Sequence, residues 1–308
     1  MLRHIIEAYA HLMRVVVSGS SGFIGSALCA RLLADGHKVV KLVRRSAGTD
    51  EIQWDPMGGQ LPAGALEGTD AVVHLAGAGI GDHRWTDSYK AQIRDSRVRS
   101  TELLATEIAG CANGPQVILS GSAVGCYGDT GDREVDETSP LGNDFLAEIC
   151  REWEAATAAA EAGTRVVHIR TGIVLAAKGG ALGKMLPLFK LGVGGRFGSG
   201  RQWQSWISLP DEVAAIQHLL TADLRGPVNL TAPKPVTGSE FAKTLGKVLH
   251  RPSLLPLPSF APKLLLGSEL VDGLLLSGQR ALPKVLQRSG FTFQHETLEV
   301  ALRAVLGR

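Results

Sequence analysis

Seven residues, Gly19-Ser20-Ser21-Gly22-Phe23-Ile24-Gly25, set glycines three apart directly behind the β-branched run Val15-Val16-Val17 and ahead of the apolar pattern from Ala27 to Leu33. The chemistry this spacing suits is the grip on a pyrophosphate. The early glycine permits a tight turn, the middle one lets backbone N–H groups approach phosphate oxygens, and Gly25 lets the helix pack close to the strand. The spacing differs from G-x-G-x-x-G but sits in the strand, turn and helix context that motif requires. Farther on, Arg44-Arg45 ends the next β-branched run, and no acid follows until Asp50. An acid at that place holds a ribose 2′-hydroxyl, whereas guanidinium groups form charge-assisted bonds to a 2′-phosphate. The pair therefore points to NADP(H), the alternative being a solvated basic turn. A third group, Arg196, Arg201, Gln202 and Trp206, lies on a glycine-rich basic segment. These side chains could clamp an anionic or ring-bearing substrate, or bridge a sheet domain to a lobe.

Such residues need a scaffold. Val15 to Val17, Val39 to Val43, Ala71 to Leu75, Val117 to Leu119 and Val166 to Ile169 are short apolar runs separated by enough chain for crossover helices. That pattern predicts an α/β fold, a Rossmann doubly wound parallel sheet with a smaller C-terminal substrate lobe. The expected organisation is an N-terminal extension over 1–13 and an NADP-binding domain over 14–175, with further sheet elements from roughly 203–231. Residues 176–308 then form mainly the lobe and a C-terminal helical segment. A long helix is expected from about Asn143 to Ala162, and loops bordering a cleft from Gly179 to Arg201. The 308 residues can bury a large core, and 44% hydrophobic with 20% charged residues describes a globular chain. A net charge of +2 without a basic run gives no sign of a nucleic-acid or membrane surface. Cys29, Cys111, Cys126 and Cys150 lack metal or disulfide spacing, which suits a reducing cytoplasm and argues against a zinc site. His74, inside an apolar strand, reads as a core histidine.

Several longer pieces resemble the extended, epimerase-like form of the short-chain dehydrogenase/reductase superfamily, in its atypical epimerase-family branch. They include WDP from Trp54, DAVVHLAG from Asp70, DSRVRST from Asp95, LSGSAVGCYGD from Leu119, REWE from Arg151, RTGIVL from Arg170 and GQRALPKVLQRSGF from Gly278. The resemblance spans nearly the whole chain. It implies that Ala76-Gly77 borders the cofactor, that Trp54-Asp55 lies near the adenine, and that Arg97 is close to the cofactor. Read from the residues alone, Asp55 could instead cap a turn and Arg97 could be solvated.

Hydride enzymes of this superfamily pair a Tyr with a Lys four residues on, beside a Ser or Thr that polarises the substrate oxygen. Ser122 stands where the polarising hydroxyl is expected, allowing one extra residue before Tyr127-Gly128, or is a plain turn-capping serine. The helix that should carry Tyr-x-x-x-Lys reads Asn143-Asp144-Phe145-Leu146-Ala147-Glu148-Ile149-Cys150, and no lysine occurs between Lys90 and Lys178. Tyr127, Asp129, Glu148 and Lys184 remain as alternative acid/base groups. The resemblance implies an NADP-dependent oxidoreductase or epimerase acting on a small carbonyl or sugar-like substrate. The missing pair implies, as the alternative, an NADP(H)-sensing module that acts through a protein partner. Members of the superfamily often dimerise through helices flanking the sheet, so a homodimer is a further expectation.

Overall fold

The computed structural model describes residues 12–253, 263–264 and 267–308. The N-terminal extension expected over 1–13 therefore lies, apart from Leu12 and Met13, outside the described residues. Seven strands form one sheet: β1 (Arg14–Ser18), β2 (Lys38–Val43), β3 (Glu51–Gln53), β4 (Ala71–His74), β5 (Val117–Ala123), β7 (Arg165–Thr171) and β11 (Gly226–Leu230). Their order is β11-β7-β5-β4-β1-β2-β3, and every neighbouring pair is parallel. The fold is thus the Rossmann-like doubly wound α/β sheet that the alternation of strands predicts.

Period-2 geometry explains the sandwich. Val15 and Val17 project to one face with Val73, Leu119, Val167 and Ile169; Val16 projects to the other with Val72, Ile118 and Val166. Strands buried on both faces read as unbroken apolar runs, which is why β1 and β4 are visible in the sequence. The first face is covered by α1 (Phe23–Ala34) and α5 (Leu209–Thr221), through Leu28, Leu32, Ile216 and Leu219. The second is covered by α2 (Asp87–Gly110), through Leu104 and Ile108. α3 (Phe145–Ala155) lies farther along the sheet toward the ends of β5 and β7.

The helix expected from Asn143 to Ala162 is shorter. Asp144 caps it by accepting from the Ala147 amide at 2.9 Å, and the Thr157 hydroxyl donates to the Glu154 carbonyl at 2.8 Å just beyond its end. A single 3₁₀ turn, Ala158–Ala160, follows.

The segment from Gly179 to Arg201 is also more ordered than expected. It contains α4 (Gly180–Lys190), whose Leu182, Leu186 and Phe189 recur at helical spacing and are buried. They pack with Trp206, Phe241 and Leu245 and with the C-terminal helix α7 (Leu298–Leu306) into a second core, in which α6 (Gly238–Leu249) also takes part. Three short pairings complete the lobe: β8 (Ile173–Leu175) with β10 (Trp206–Ser208), β9 (Trp203–Gln204) with β12 (Val236–Thr237), and β6 (Glu134–Val135) with β13 (Arg280–Ala281).

Candidate functional site

The strand order reverses between β1 and β4, and there, at the carboxyl ends of the strands, lies a cleft of about 890 Å³. This is the topological switch point at which doubly wound sheets bind ligands. Gly19, Ser20, Ser21 and Gly22 form its floor. Gly19 has φ +68°, and a Cβ there would come within 2.7 Å of the Leu75 carbonyl carbon, so only glycine fits. Gly25 packs so closely on the Gly19 carbonyl that a Cβ has no room. Gly22 supplies no side-chain cap to α1, leaving the first-turn N–H groups for a ligand. Phe23 faces Gly179 and Gly180, and Ile24 packs against the core. Neither lines the cleft.

The opposite rim carries Lys41, Arg44, Arg45 and Glu51. Arg45 donates twice to Glu51, at 2.7 Å each, and this bond holds the Glu51 carboxyl down at about 2. Arg44 is exposed and makes no ion pair among the described residues, so it is the guanidinium on this rim placed to meet a phosphate. Trp54 lines the cleft, buried and edge-on to His74. Asp55 does not: its carboxylate accepts from the Met57 and Gly58 amides and caps a turn. Ala76 and Gly77 form the wall after β4. That wall is fixed by Ser18, whose hydroxyl oxygen accepts from the Leu75 and Ala76 amides and is itself bonded to His74. Burial pushes His74 down to about 3, so it is neutral and structural.

A smaller cavity of about 200 Å³ lies beyond the ends of β5, β7 and β8. It shares a wall with the cleft: Gly79 and Ser96 line the cleft, and their chain neighbours Ile80 and Arg97 line the cavity. α3 turns Leu146, Ile149, Cys150 and Trp153 toward it, and the lobe adds Gln202, Trp203, Gln204 and Leu274. Burial pushes the Cys150 thiol up to about 11, leaving it uncharged.

Beside the cavity runs a buried polar network. Ser122 donates to Glu154 at 2.7 Å, Glu154 takes two bonds from Arg170 at 2.8 Å, and Arg170 donates to the Tyr127 hydroxyl at 3.1 Å. Tyr127 in turn donates to Asn229 at 2.8 Å. Burial raises the Tyr127 phenol well above its ordinary value, so it keeps its proton. Burial alone would raise Glu154 too, but the Arg170 bonds outweigh it and hold the carboxyl below its usual range.

Comparison with known proteins agrees with this geometry. The profile of the NAD dependent epimerase/dehydratase family matches residues 15–230. The chain belongs to that family. A domain of unknown function matches residues 257–305. The epimerase family protein ML0860 of Mycobacterium leprae is 47% identical over 291 residues, covering 94% of each chain. The crystal structure of the human epimerase family protein SDR39U1 with NADPH superimposes with a TM-score of 0.89 at 36% identity, covering 96% of this chain and 99% of that one. A nucleoside-diphosphate sugar epimerase from Corynebacterium glutamicum has a TM-score of 0.78 at 36% identity, covering 99% of this chain and 61% of its own.

Within this family fold, several expected site residues fall elsewhere. Ser122 and Tyr127 do not line the cavity; their hydroxyls are committed to the buried network. Arg97 lines the cavity, on the wall shared with the cleft and against Gly77. Arg196 donates to the carbonyls of its own loop, Gly198 and Ser199, at 2.9 and 2.5 Å. Arg201 is exposed and lines neither space. Trp206 is fully buried in the lobe core, its indole N–H donating to the Lys234 carbonyl at 3.0 Å. Gln202 alone of that group reaches the cavity, with its amide on the Leu275 carbonyl at 2.9 Å. Of the alternative acid/base groups, Asp129 caps a turn through Gly131, Glu148 is exposed, and Lys184 is an exposed partner of Asp82. The sequence reading missed Trp153, Glu154 and Arg170. No helix among the described residues is long and apolar enough to cross a membrane, and no metal-binding cluster occurs among them.

Proposed function

We propose that this chain binds NADP(H) in the switch-point cleft and uses it to oxidise, reduce or epimerise a small carbonyl- or hydroxyl-bearing substrate in the adjoining cavity. The observation that carries the reading is the glycine cradle under an uncapped helix start, facing the exposed Arg44 on the opposite rim. The human relative crystallised with NADPH supports the choice of cofactor. The first-turn N–H groups of α1 hold the pyrophosphate over the Gly19–Gly22 turn, whose Gly22 N–H is spent on the Gly19 carbonyl, while Arg44 meets the 2′-phosphate and Trp54 lies beside the adenine. A nicotinamide bound toward Gly79 would supply or accept a hydride. His74 and Ser18 fix the Leu75-Ala76 turn that the cofactor lies against. Ser122 and Tyr127, through Glu154 and Arg170, hold the cavity wall and do not touch the substrate.

Calorimetric titration of cofactor-stripped protein with NADPH and NADH tests this. Tighter binding of NADPH is expected, and binding of neither sinks the proposal. A second reading is a dinucleotide sensor. It is favoured by the cavity lining, where the titratable side chains among the described residues are only Arg97 and the protonated Cys150. A screen of small aldehydes and ketones for NADPH oxidation separates the two: turnover excludes the pure sensor.

A further inference from the structure

Arg97 sits on the inner face of α2 at 7% exposure, where a charge is costly unless an anion faces it. Its guanidinium donates to the Ile93 carbonyl at 2.9 Å and lies 5.1 Å over the Trp153 ring. It forms no ion pair with any carboxylate among the described residues; Tyr89, the Cys150 thiol and the neutral His74 are the titratable groups facing it. The Trp153 indole N–H is likewise buried, with no acceptor among the described residues. Both side chains line the small cavity, whose described lining contains no acidic residue. Their places are held by two glycines: a Cβ on Gly77 would approach the Arg97 Cζ at 3.2 Å, and one on Gly121 would strike the Trp153 ring at 2.6 Å. A buried cation and a buried N–H donor, both short of acceptors, border one space.

The rest of the wall gives the ligand its shape. Ile80, Val124, Leu146, Ile149 and Leu274 are apolar. The volume, about 200 Å³, is below the roughly 300 to 1,000 Å³ of clefts that take drug-sized ligands, so the part of a ligand that this wall encloses is small. We propose that Arg97 and Trp153 form the receptor for the carboxylate of a small, apolar-bodied acid, which is the substrate class of this cavity. The assignment rests on the cofactor reading above only in calling the occupant a substrate. The anion site itself does not need NADP(H).

Benzoate is a suitable probe, with benzamide as its uncharged isostere, titrated by tryptophan fluorescence into the protein with and without saturating NADPH. Wild type should bind benzoate saturably and more tightly than benzamide. Arg97→Gln should weaken benzoate about tenfold to a hundredfold, the range of a charge-assisted hydrogen bond, and change benzamide less than about threefold. Arg97→Lys should recover part of the loss. Removing an unpaired buried charge leaves the fold intact, which thermal unfolding of the variant checks. The proposal is overturned if benzoate does not bind wild type, or if benzoate and benzamide weaken equally. It is also overturned if Arg97→Gln costs NADPH tenfold and leaves benzoate unchanged, because the counter-anion is then a cofactor phosphate. Failure of wild type to bind NADPH while benzoate still depends on Arg97 would sink the cofactor reading and keep the anion site.

Discussion

Replacing Glu154 by glutamine keeps the shape of the side chain and removes its charge. The carboxylate accepts three hydrogen bonds, from Ser122 at 2.7 Å and from Arg170 at 2.8 and 2.8 Å, and the ion-paired side chains are only 12% and 5% exposed. Glutamine can still accept from one or two of these donors, but it leaves the Arg170 cation buried without an anion. Breaking a buried pair in this way costs about 3–5 kcal/mol. With a denaturant slope of about 3 kcal/mol/M for a chain of this size, the urea midpoint should fall by roughly 1 M or more. The double variant Glu154→Leu, Arg170→Met removes both charges and should recover most of the loss, since apolar replacement of a whole buried pair is near neutral or stabilising. Tyr127 still donates to Asn229 in that variant, and the residual cost, about 1 kcal/mol, is that of the Ser122 hydroxyl losing its acceptor.

The pair also has a pH signature. The folded Glu154 carboxyl titrates below its reference value of 4.5, so its stabilisation is whole above that pH and is lost as pH falls through the depressed folded value. Glu154→Gln should flatten that acid limb. Equilibrium urea unfolding read by tryptophan fluorescence between pH 3 and 7 measures both effects. A single variant costing under about 1 kcal/mol, or a double variant as unstable as the single, refutes the reasoning.

Three more outcomes follow from the geometry. Arg44→Ala should weaken NADPH about tenfold and leave NADH nearly unchanged, while Arg45→Ala, whose side chain is already committed to Glu51, should weaken NADPH less; calorimetry with both cofactors reads the difference. Gly19→Ala places a side chain at φ +68° and 2.7 Å from Leu75, so NADPH binding should be lost; binding within threefold of wild type would remove the cradle from the site. Glu212 is wholly buried, one oxygen accepts from Thr171 at 2.9 Å, the other is unpaired, and burial raises the carboxyl to about 8. A raised acid favours the folded state fully below its unfolded pKa and loses that advantage as pH rises toward the folded one. Glu212→Gln should therefore gain stability relative to wild type from pH 5 to pH 8 in thermal unfolding scans, and a constant difference would contradict the raised value.

How far the sequence could be read depended on whether a residue's role is local. The glycine cradle and the strands of the sheet are short-range patterns, set by φ and by period-2 burial, and they stand where the spacing puts them. Trp206 shows the opposite case. Its neighbours Arg201 and Gln202 suggested a ligand contact, yet Trp206-Ile207-Ser208 is a buried strand paired to β8, and an aromatic there fills the lobe. Ser122 was recognisable as a hydroxyl at the end of β5, but its partner Glu154 lies 32 residues on and reaches it only because α3 packs across the strand. A faint signal for Glu154 existed: it falls four residues after Cys150, beside the apolar positions 146, 149 and 153 of the helix, where a solvated glutamate does not belong. Arg97 carries the same signal, following Ile93 by four and preceding Thr101 by four on the buried stripe of α2.

Those two misplaced charges bear on the chemistry. Where the superfamily sets a phenol and an ammonium one helical turn apart, α3 turns Leu146 and Cys150 toward the cavity, and the thiol keeps its proton far above neutral pH. What remains in the described cavity lining is Arg97, the indoles of Trp153 and Trp203, and a set of glutamine, serine and threonine side chains, none of which takes up a proton near neutral pH. Such a wall can hold an anion or stabilise negative charge that develops on an oxygen, but it cannot act as a general base. A reaction served by the described lining alone would exchange its proton with water or with the substrate's own acid group. The pH profile of any turnover should then lack a limb assignable to a tyrosine or lysine of α3, and such a limb appearing near neutral pH would show that another side chain enters the cavity.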